Sequence, residues 1–128
     1  REVVWAERIA ANATILVADV EGSVAGWLSL GPSRDADATS CDGEVYGLYV
    51  EPDSWSQGVG TALWTEAKKT LSALGYRVAK LWVLEANDRA RRFYERQGFT
   101  PEPDMRKLYE RDGATTPEIR YRSPVEPT

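Results

Sequence analysis

The feature that most constrains the fold is an amphipathic helix predicted between two strand-like segments. Residues 44–50 (EVYGLYV) and 77–84 (RVAKLWVL) are rich in β-branched and aromatic residues, which favours extended structure. Between them, apolar residues recur at helical spacing over 58–74, and Gly75 follows where helices commonly end. Because a helix crosses between the two strands, they must run parallel within one sheet. We therefore expect a strand–helix–strand unit.

Two pairs of strand-like segments flank this unit, and a short turn that contains glycine joins the members of each pair. The turns are Glu21-Gly22 and Asp112-Gly113, which favour antiparallel hairpins. The polar segment 31–43 is rich in turn-forming residues and is expected to be a surface loop. The predicted hairpins pair 14–20 with 23–30 and 105–111 with 115–122.

Two further helical segments are predicted. Apolar residues recur at helical spacing in residues 1–11, which predicts the end of a helix. Asn87 or Asp88 can cap a short helix that runs to Gln97, and Gly98 follows it. The order helix, three strands, helix, strand, helix, two strands is typical of a mixed α/β fold. A length of 128 residues predicts a single domain over the whole chain.

The composition excludes several functional classes. The chain has no histidine, which excludes a Ser-His-Asp triad, a Cys-His pair and histidine-ligated zinc sites. Cys41 is the single cysteine, so neither an intramolecular disulfide nor a thiolate metal site is expected. The net charge of −4 argues against a nucleic-acid partner. No apolar run approaches the ~18 residues of a membrane helix, so we expect no membrane partner and an intracellular protein.

A glycine-containing motif, residues 57–61 (QGVGT), opens the predicted long helix. The first turn of a helix has unpaired N–H groups and a positive dipole end, so phosphate binds there readily. Gly58 and Gly60 lack a Cβ, which lets a pyrophosphate approach the backbone. The chain has no Walker A loop, and Leu63 stands where a dinucleotide-binding motif has Gly or Ala. The motif is therefore a phosphate site of another kind or a plain turn into the helix.

A second group of candidate residues follows the strand at 77–84. Asn87 can be a helix cap, and Tyr94 can be half-buried with its hydroxyl bonded nearby. Beside a phosphate-binding helix, the same tyrosine hydroxyl could instead serve as a general acid. The arginines of the short helix form a solvated face or contact phosphates, whose geometry suits arginine. They are Arg89, Arg92 and Arg96.

Three stretches together resemble the GCN5-related N-acetyltransferase (GNAT) family. They are EVYGLYVEP at 44–52, QGVGTAL at 57–63 and LWVLEANDRARRFYERQGF at 81–99. The similarity extends over about residues 14–122, and the order and spacing of the three motifs make it specific. The resemblance implies a mixed, mostly antiparallel sheet flanked by helices. Its central parallel strands, at 44–50 and 77–84, would splay apart to hold acetyl-CoA.

The resemblance also implies roles for individual residues. The Leu48 amide would hydrogen-bond the thioester oxygen, which makes it an oxyanion donor. Val50 would pair with pantetheine, the helix-start amides would hold the pyrophosphate, and Tyr94 would protonate the departing thiolate. Trp55 stands where the family usually has Arg or Gln, a difference that affects a side-chain contact and leaves the backbone amides in place. The implied cofactor-binding residues are Leu48, Tyr49, Val50, Gln57, Gly58, Val59, Gly60, Thr61 and Asn87.

A general base is also required. A substrate ammonium with a pKa of about 10 must lose a proton before it attacks. In a chain without histidine, a carboxylate or a chain of water molecules must accept that proton. Glu44 matches the position where this family often carries its base, and Glu85, at the end of the neighbouring strand, is the alternative.

The expected function is transfer of acetyl from acetyl-CoA to a primary amine of a small molecule or peptide in the cytoplasm, by direct attack. A non-catalytic acyl-CoA sensor is the first alternative, since an N-terminal strand and helix that cover the acceptor site in the family are missing from residues 1–128. A small protein-interaction domain whose glycines only form turns is the second alternative. The strand at 117–122 could pair across a homodimer.

Overall fold

The computed structural model describes residues 3–10, 12–55 and 57–127. These residues form one seven-stranded sheet and two α-helices, with a short 3₁₀ turn at Pro52–Ser54. The elements are β1 (Val3–Ala10), β2 (Ala13–Val20), β3 (Ser23–Pro32), β4 (Asp42–Val50), α1 (Val59–Ala73), β5 (Val78–Leu84), α2 (Asp88–Arg96), β6 (Thr100–Arg111) and β7 (Ala114–Pro124).

The strands lie in the order β1-β2-β3-β4-β5-β7-β6, and only β4 and β5 run parallel. This confirms the predicted strand–helix–strand unit with antiparallel strands on both sides. Both predicted hairpins are present, and the residues of both turns have positive φ: 53° and 83° at Glu21 and Gly22, and 52° and 79° at Asp112 and Gly113. Positive φ at both central residues is the mark of a type I′ turn, whose twist suits a hairpin.

Two expectations about the ends of the chain are wrong. Residues 3–10 form strand β1 and not the end of a helix; residues 1, 2 and 11 lie outside the described residues. A short apolar pattern is ambiguous between the two periodicities, and antiparallel pairing with β2 satisfies the β1 backbone. The strand at 117–122 does not pair across a dimer, because β7 lies between β5 and β6. Sheet pairing between two copies would have to use β1 or β6.

Strands β4 and β5 pair over three residues and then separate, as the family resemblance implied. Only Asp42, Gly43 and Glu44 of β4 pair with β5. Further along β4, the register against β3 shifts by one residue. Leu30 is paired with Val45, but the preceding Ser29 is paired with Gly47. The extra residue on β4 is Tyr46, and such a bulge bends a strand and increases its twist. The bulge therefore lies where β4 turns away from β5 and a gap opens.

The main core lies between α1 and one face of the sheet. The buried side of α1 includes Leu63, Trp64, Ala67 and Leu71. The short helix α2 follows β5 and lies beside α1, since the Gln97 side chain donates to Thr61 Oγ1 at 3.0 Å. In the described ranges, neither helix is long and apolar enough to span a membrane.

Candidate functional site

A cleft of about 430 Å³ opens where β4 has separated from β5. Its walls come from the end of β4, the start of α1 and one side of α2. The structure brings Tyr94 into this cleft together with all the predicted cofactor-binding residues except Gln57. The Gln57 side chain instead donates to the Asp53 carbonyl at 3.0 Å. Glu44 and Glu85 are not among the residues that line the cleft.

The β4 wall presents backbone groups to the cleft. The amide of Glu51 donates to the Ala25 carbonyl of β3 at 2.8 Å, so Glu51 bonds toward β3. Because bonding direction alternates along a strand, Tyr49 also bonds toward β3, whereas Leu48 and Val50 direct their polar groups away from it. Beside Leu48 and Val50, β5 no longer pairs with β4. The Leu48 amide therefore points into the gap without a neighbouring strand.

At the rim of this wall, the side chain of Trp55 contacts the backbone of Val50. The indole Nε1 of Trp55 donates to the Val50 carbonyl at 2.8 Å. The guanidinium of Arg89 lies 3.3 Å from the centroid of a Trp55 ring, and Arg96 lines the cleft further along α2. Arg92, the third candidate arginine, does not line the cleft. Within the described part of the chain, the cleft is lined by two arginines and no carboxylate, which favours an anionic ligand.

The two glycines at the start of α1 have different functions. Gly58 is the N-cap with φ 79°, a left-handed conformation, and a Cβ there would meet open space. No side chain caps this helix end, so its first-turn amides remain available to a ligand. A Cβ on Gly60 would lie 3.0 Å from Phe93 Cε1. Gly60 therefore permits α2 to pack closely against α1, whereas an added side chain at Gly58 would enter open space.

The α2 wall carries the predicted acid. Asn87 caps α2, since its Oδ1 accepts from the Ala90 amide at 3.1 Å, and it also lines the cleft. The Tyr94 ring makes edge contacts with Phe93 and Phe99, at centroid distances of 5.4 Å and 5.7 Å. Burial raises the pKa of Tyr94 to about 12. Among the described residues its hydroxyl has no hydrogen-bond partner, so the alternative of a hydroxyl bonded nearby is wrong.

The two candidate bases, Glu44 and Glu85, lie outside the cleft. Glu44 is buried at the paired end of β4, before the bulge, and its Oε1 accepts from the Arg34 amide at 2.9 Å. Burial raises the pKa of Glu44; the Arg34 amide opposes this shift, and the negative charge of Asp35 adds to it. Glu85 is partly exposed and forms an ion pair with Arg106.

Sequence reasoning missed a cluster of charged side chains around the buried Arg120, which holds the loop between β3 and β4. Arg120 of β7 is 2% exposed and contacts Asp35 at 3.1 Å, Asp37 at 2.7 Å and Glu102 at 2.8 Å. The Trp82 indole also donates to Asp35, at 2.9 Å. The alternation of β7 could have shown that Arg120 lies on the face opposite Ile119 and Tyr121. It could not show which carboxylates cover that face, because they come from distant segments.

Across residues 3–10, 12–55 and 57–127, no three His, Cys, Asp or Glu side chains come together as a metal site.

The sheet with its splayed parallel pair and adjoining cleft corresponds to a known family. The model of the acetyltransferase (GNAT) family matches residues 1–99. The chain belongs to this family, as the three sequence motifs predicted.

One relative and one solved structure agree with this assignment, and a second structure shares the fold. YuaI of Bacillus subtilis, named as an N-acetyltransferase, is 33% identical over 101 residues, which are 79% of this chain and 56% of the relative. The chain thus spans little more than half the length of this curated relative. A structure from Desulfovibrio desulfuricans, described as a GNAT-family acetyltransferase, matches with a TM-score of 0.73 and 27% identity, covering 90% of this chain and 71% of that one. The structure of yncA from Salmonella typhimurium, described with its cofactor acetyl-CoA, has a TM-score of 0.76 and 22% identity, covering 91% and 66% of the two chains.

Proposed function

We propose that the protein is an acetyl-CoA-dependent N-acetyltransferase that moves the acetyl group to a primary amine by direct attack in a ternary complex. The observation that carries the proposal is the content of one cleft. A backbone donor at Leu48, a protonated hydroxyl at Tyr94 and an uncapped helix end at Gly58 all face it. Family membership supports the same reaction class.

In this proposal acetyl-CoA lies along the β4 wall. Pantetheine is extended beside Leu48 and Val50, whose polar groups face the gap. The diphosphate binds at the amides of residues 57–61, and Asn87 contacts the pantetheine arm. Arg89 and Arg96 contact the phosphates, which fits a cleft with positive side chains at its rim. The Salmonella protein, described with acetyl-CoA, has the same fold and supports this choice of ligand.

The proposed reaction is an acyl transfer without a covalent enzyme intermediate. The amine nitrogen attacks the thioester carbon, and the Leu48 amide stabilises the negative oxygen that forms. The carbon–sulfur bond then breaks, and Tyr94 gives its proton to the departing thiolate. Because the pKa of Tyr94 is raised to about 12, the hydroxyl keeps its proton at neutral pH until the thiolate forms. The ammonium form of the substrate loses one proton to the base before attack, and the N–H proton lost after attack returns through solvent to Tyr94. The products are an amide, free CoA and a neutral Tyr94 hydroxyl.

We propose that Glu44 accepts the proton of the amine through water, because its carboxylate does not line the cleft. Its raised pKa makes it a better base than an ordinary carboxylate, and its bond to the Arg34 amide holds it in place. Glu85 is the weaker candidate, because Arg106 neutralises it. The acceptor in this proposal is a small molecule or peptide, and the reaction takes place in the cytoplasm, where an exposed thiol such as Cys41 stays reduced.

A non-catalytic acyl-CoA sensor is the second candidate. The observation that favours it is the absence of a carboxylate from the cleft lining in the described part of the chain. A sensor needs the same binding groups but no base.

Two measurements test the proposal in sequence. Thermal unfolding is measured with acetyl-CoA and with NAD as the control; a ligand at 100 times its Kd adds about 2.7 kcal/mol to the free energy of unfolding. Release of free CoA thiol is then measured against a panel of primary amines. Stabilisation by acetyl-CoA alone together with amine-dependent thiol release is expected. Stabilisation without transfer to any amine indicates the sensor, and no stabilisation contradicts both candidates.

A further inference from the structure

Helix α2 carries the proposed acid and packs on its neighbours through few apolar side chains, those of Ala90, Phe93 and Tyr94. None of its nine residues is fully buried, and five of them are charged arginine or glutamate side chains. Ala90 and Tyr94 are the α2 residues that pack against the main core, and both are only partly buried. Polar contacts must therefore determine much of the helix position.

The central polar contact is the hydroxyl of Tyr121 on β7. Tyr121 is 0% exposed, and its hydroxyl accepts from Arg91 Nε at 2.8 Å and donates to Glu95 Oε2 at 2.7 Å. Arg91 also donates to the Glu85 carbonyl at the end of β5, at 3.0 Å. One buried oxygen thus joins two consecutive turns of α2 to the sheet.

The positions of these residues on the helix show what the contact controls. Arg91 and Glu95 are four residues apart and lie on the same side of α2. Tyr94 is adjacent to Glu95, about 100° further around the helix. A rotation of α2 about its axis would carry the Tyr94 hydroxyl across the cleft. In the described structure no hydrogen bond holds that hydroxyl, so its place depends on ring packing and on the helix.

We propose that Tyr121 is a positioning residue that sets where the Tyr94 hydroxyl lies in the cleft, by tying both turns of α2 to β7. The inference rests on the proposed role of Tyr94 as the general acid. Neither Tyr121 nor its two partners on α2 lines the cleft, so each acts only through the helix.

The test is the substitution Tyr121→Phe, which removes one oxygen and keeps the ring in the core. Tyr76→Phe, a partly buried tyrosine at the far end of the sheet, is the matched control. We expect kcat to fall roughly tenfold or more, because a misplacement near 1 Å is costly. The KM for acetyl-CoA should stay within twofold. In a Tyr94→Phe background, Tyr121→Phe should cause no further loss, since both act on one proton transfer.

Three results would overturn the inference: an unchanged kcat in Tyr121→Phe, a loss of equal size in the Tyr94→Phe background, or an equal loss in Tyr76→Phe. If Tyr121→Phe does not fold, Glu95→Gln and Glu95→Ala replace it. The glutamine retains an acceptor for the Tyr121 hydroxyl, so activity should survive in Glu95→Gln and fall in Glu95→Ala; equal activity in the two contradicts the inference.

Amide hydrogen exchange separates this inference from the proposed function. Residues 91–97 should exchange at least tenfold faster in Tyr121→Phe than in wild type, and exchange in α1 should be unchanged. A wild-type protein that transfers no acetyl group contradicts the proposed function, whereas hydrogen exchange in α2 still tests whether Tyr121 holds α2 to β7. Unchanged exchange in residues 91–97 refutes that role of Tyr121 whatever the activity.

Discussion

Gly58 and Gly113 provide a matched pair for testing the proposed phosphate site. Both glycines have φ 79°, and a Cβ added to either would meet no atom within 4 Å. Alanine at either position therefore introduces similar backbone strain without steric overlap. The difference is location, because Gly58 lines the cleft and Gly113 turns the distant β6–β7 hairpin.

The expected magnitudes follow from this geometry. A left-handed conformation costs an alanine about 1–2 kcal/mol, and the lower entropy of the unfolded chain offsets about 0.4–1 kcal/mol. Each substitution should therefore lower the free energy of unfolding by about 1 kcal/mol, or about 4 °C in Tm for a domain of this size. In Gly58→Ala, the new Cβ would also occupy space that the diphosphate needs. We expect acetyl-CoA to bind about tenfold more weakly, which corresponds to about 1.4 kcal/mol.

The assay is isothermal titration of wild type, Gly58→Ala and Gly113→Ala with acetyl-CoA, after thermal unfolding has shown that the two variants lose similar stability. Gly113→Ala should bind as wild type does. Equal affinity in all three proteins would refute the assignment of the diphosphate to the N-terminus of α1. Equal weakening in both variants would show that the loss comes from stability alone.

Three further predictions concern single side chains. Tyr94→Phe should lower kcat by about 10²–10⁴-fold with little change in acetyl-CoA affinity, measured by steady-state kinetics and titration. Glu44→Gln keeps an acceptor for the Arg34 amide and removes a buried charge whose pKa is raised. The charged form of Glu44 therefore opposes folding as pH rises through that pKa, and Glu44→Gln should match or exceed the wild-type Tm at pH 7. Arg120→Ala removes the guanidinium partner of Asp35 and Glu102, whose side chains are partly buried, and should lower the free energy of unfolding by about 3 kcal/mol in a denaturant titration. Asp37→Asn should cost less, because that side chain is 50% exposed. Arg120 lowers the pKa of Asp37 to about 2, so the contribution of Asp37 is present above pH 4 and is lost as pH falls toward 2.

Each of these predictions has a result that contradicts it. A normal kcat in Tyr94→Phe at all pH values removes this hydroxyl from the reaction. If Glu44→Gln has a Tm well below that of wild type at pH 7, the charged carboxylate stabilises the fold and the argument from its raised pKa is refuted. If Arg120→Ala unfolds at the wild-type denaturant concentration, the buried cluster does not hold the loop to the sheet.

Much of the fold could be predicted from short segments. The turns at Glu21-Gly22 and Asp112-Gly113 need positive φ at both residues, and the glycine in each marks the hairpin. Gly75 and Gly98 follow the two helices with φ 92° and 100°, so the helix ends are also local properties. The crossing helix α1 determines that β4 and β5 run parallel. The family motifs placed the cleft on the same three segments.

Other features depend on partners that are distant in sequence. Residues 3–10 carry an ambiguous apolar pattern, and pairing with the edge of β2 decides that they form a strand. The bulge at Tyr46 is visible only in the register between β3 and β4, although it bends the strand beside the cleft. Gly60 stands in a motif typical of phosphate binding, but its contact with Phe93 of α2 gives it a packing function.

From residue 13 onward, the sequence by itself determined the order of strands and helices and the parallel pair, because turns, caps and periodicity act over a few residues. The motifs shared with the family indicated the residues that surround the cleft. Only the tertiary structure decided how the side chains of the site are held. Arg120 meets Asp35 and Asp37 across more than 80 positions, and Tyr121 meets Arg91 and Glu95 across 30 and 26. The pKa values of Glu44 and Tyr94 were likewise set by burial, which exists only after the sheet, the loop and both helices have come together.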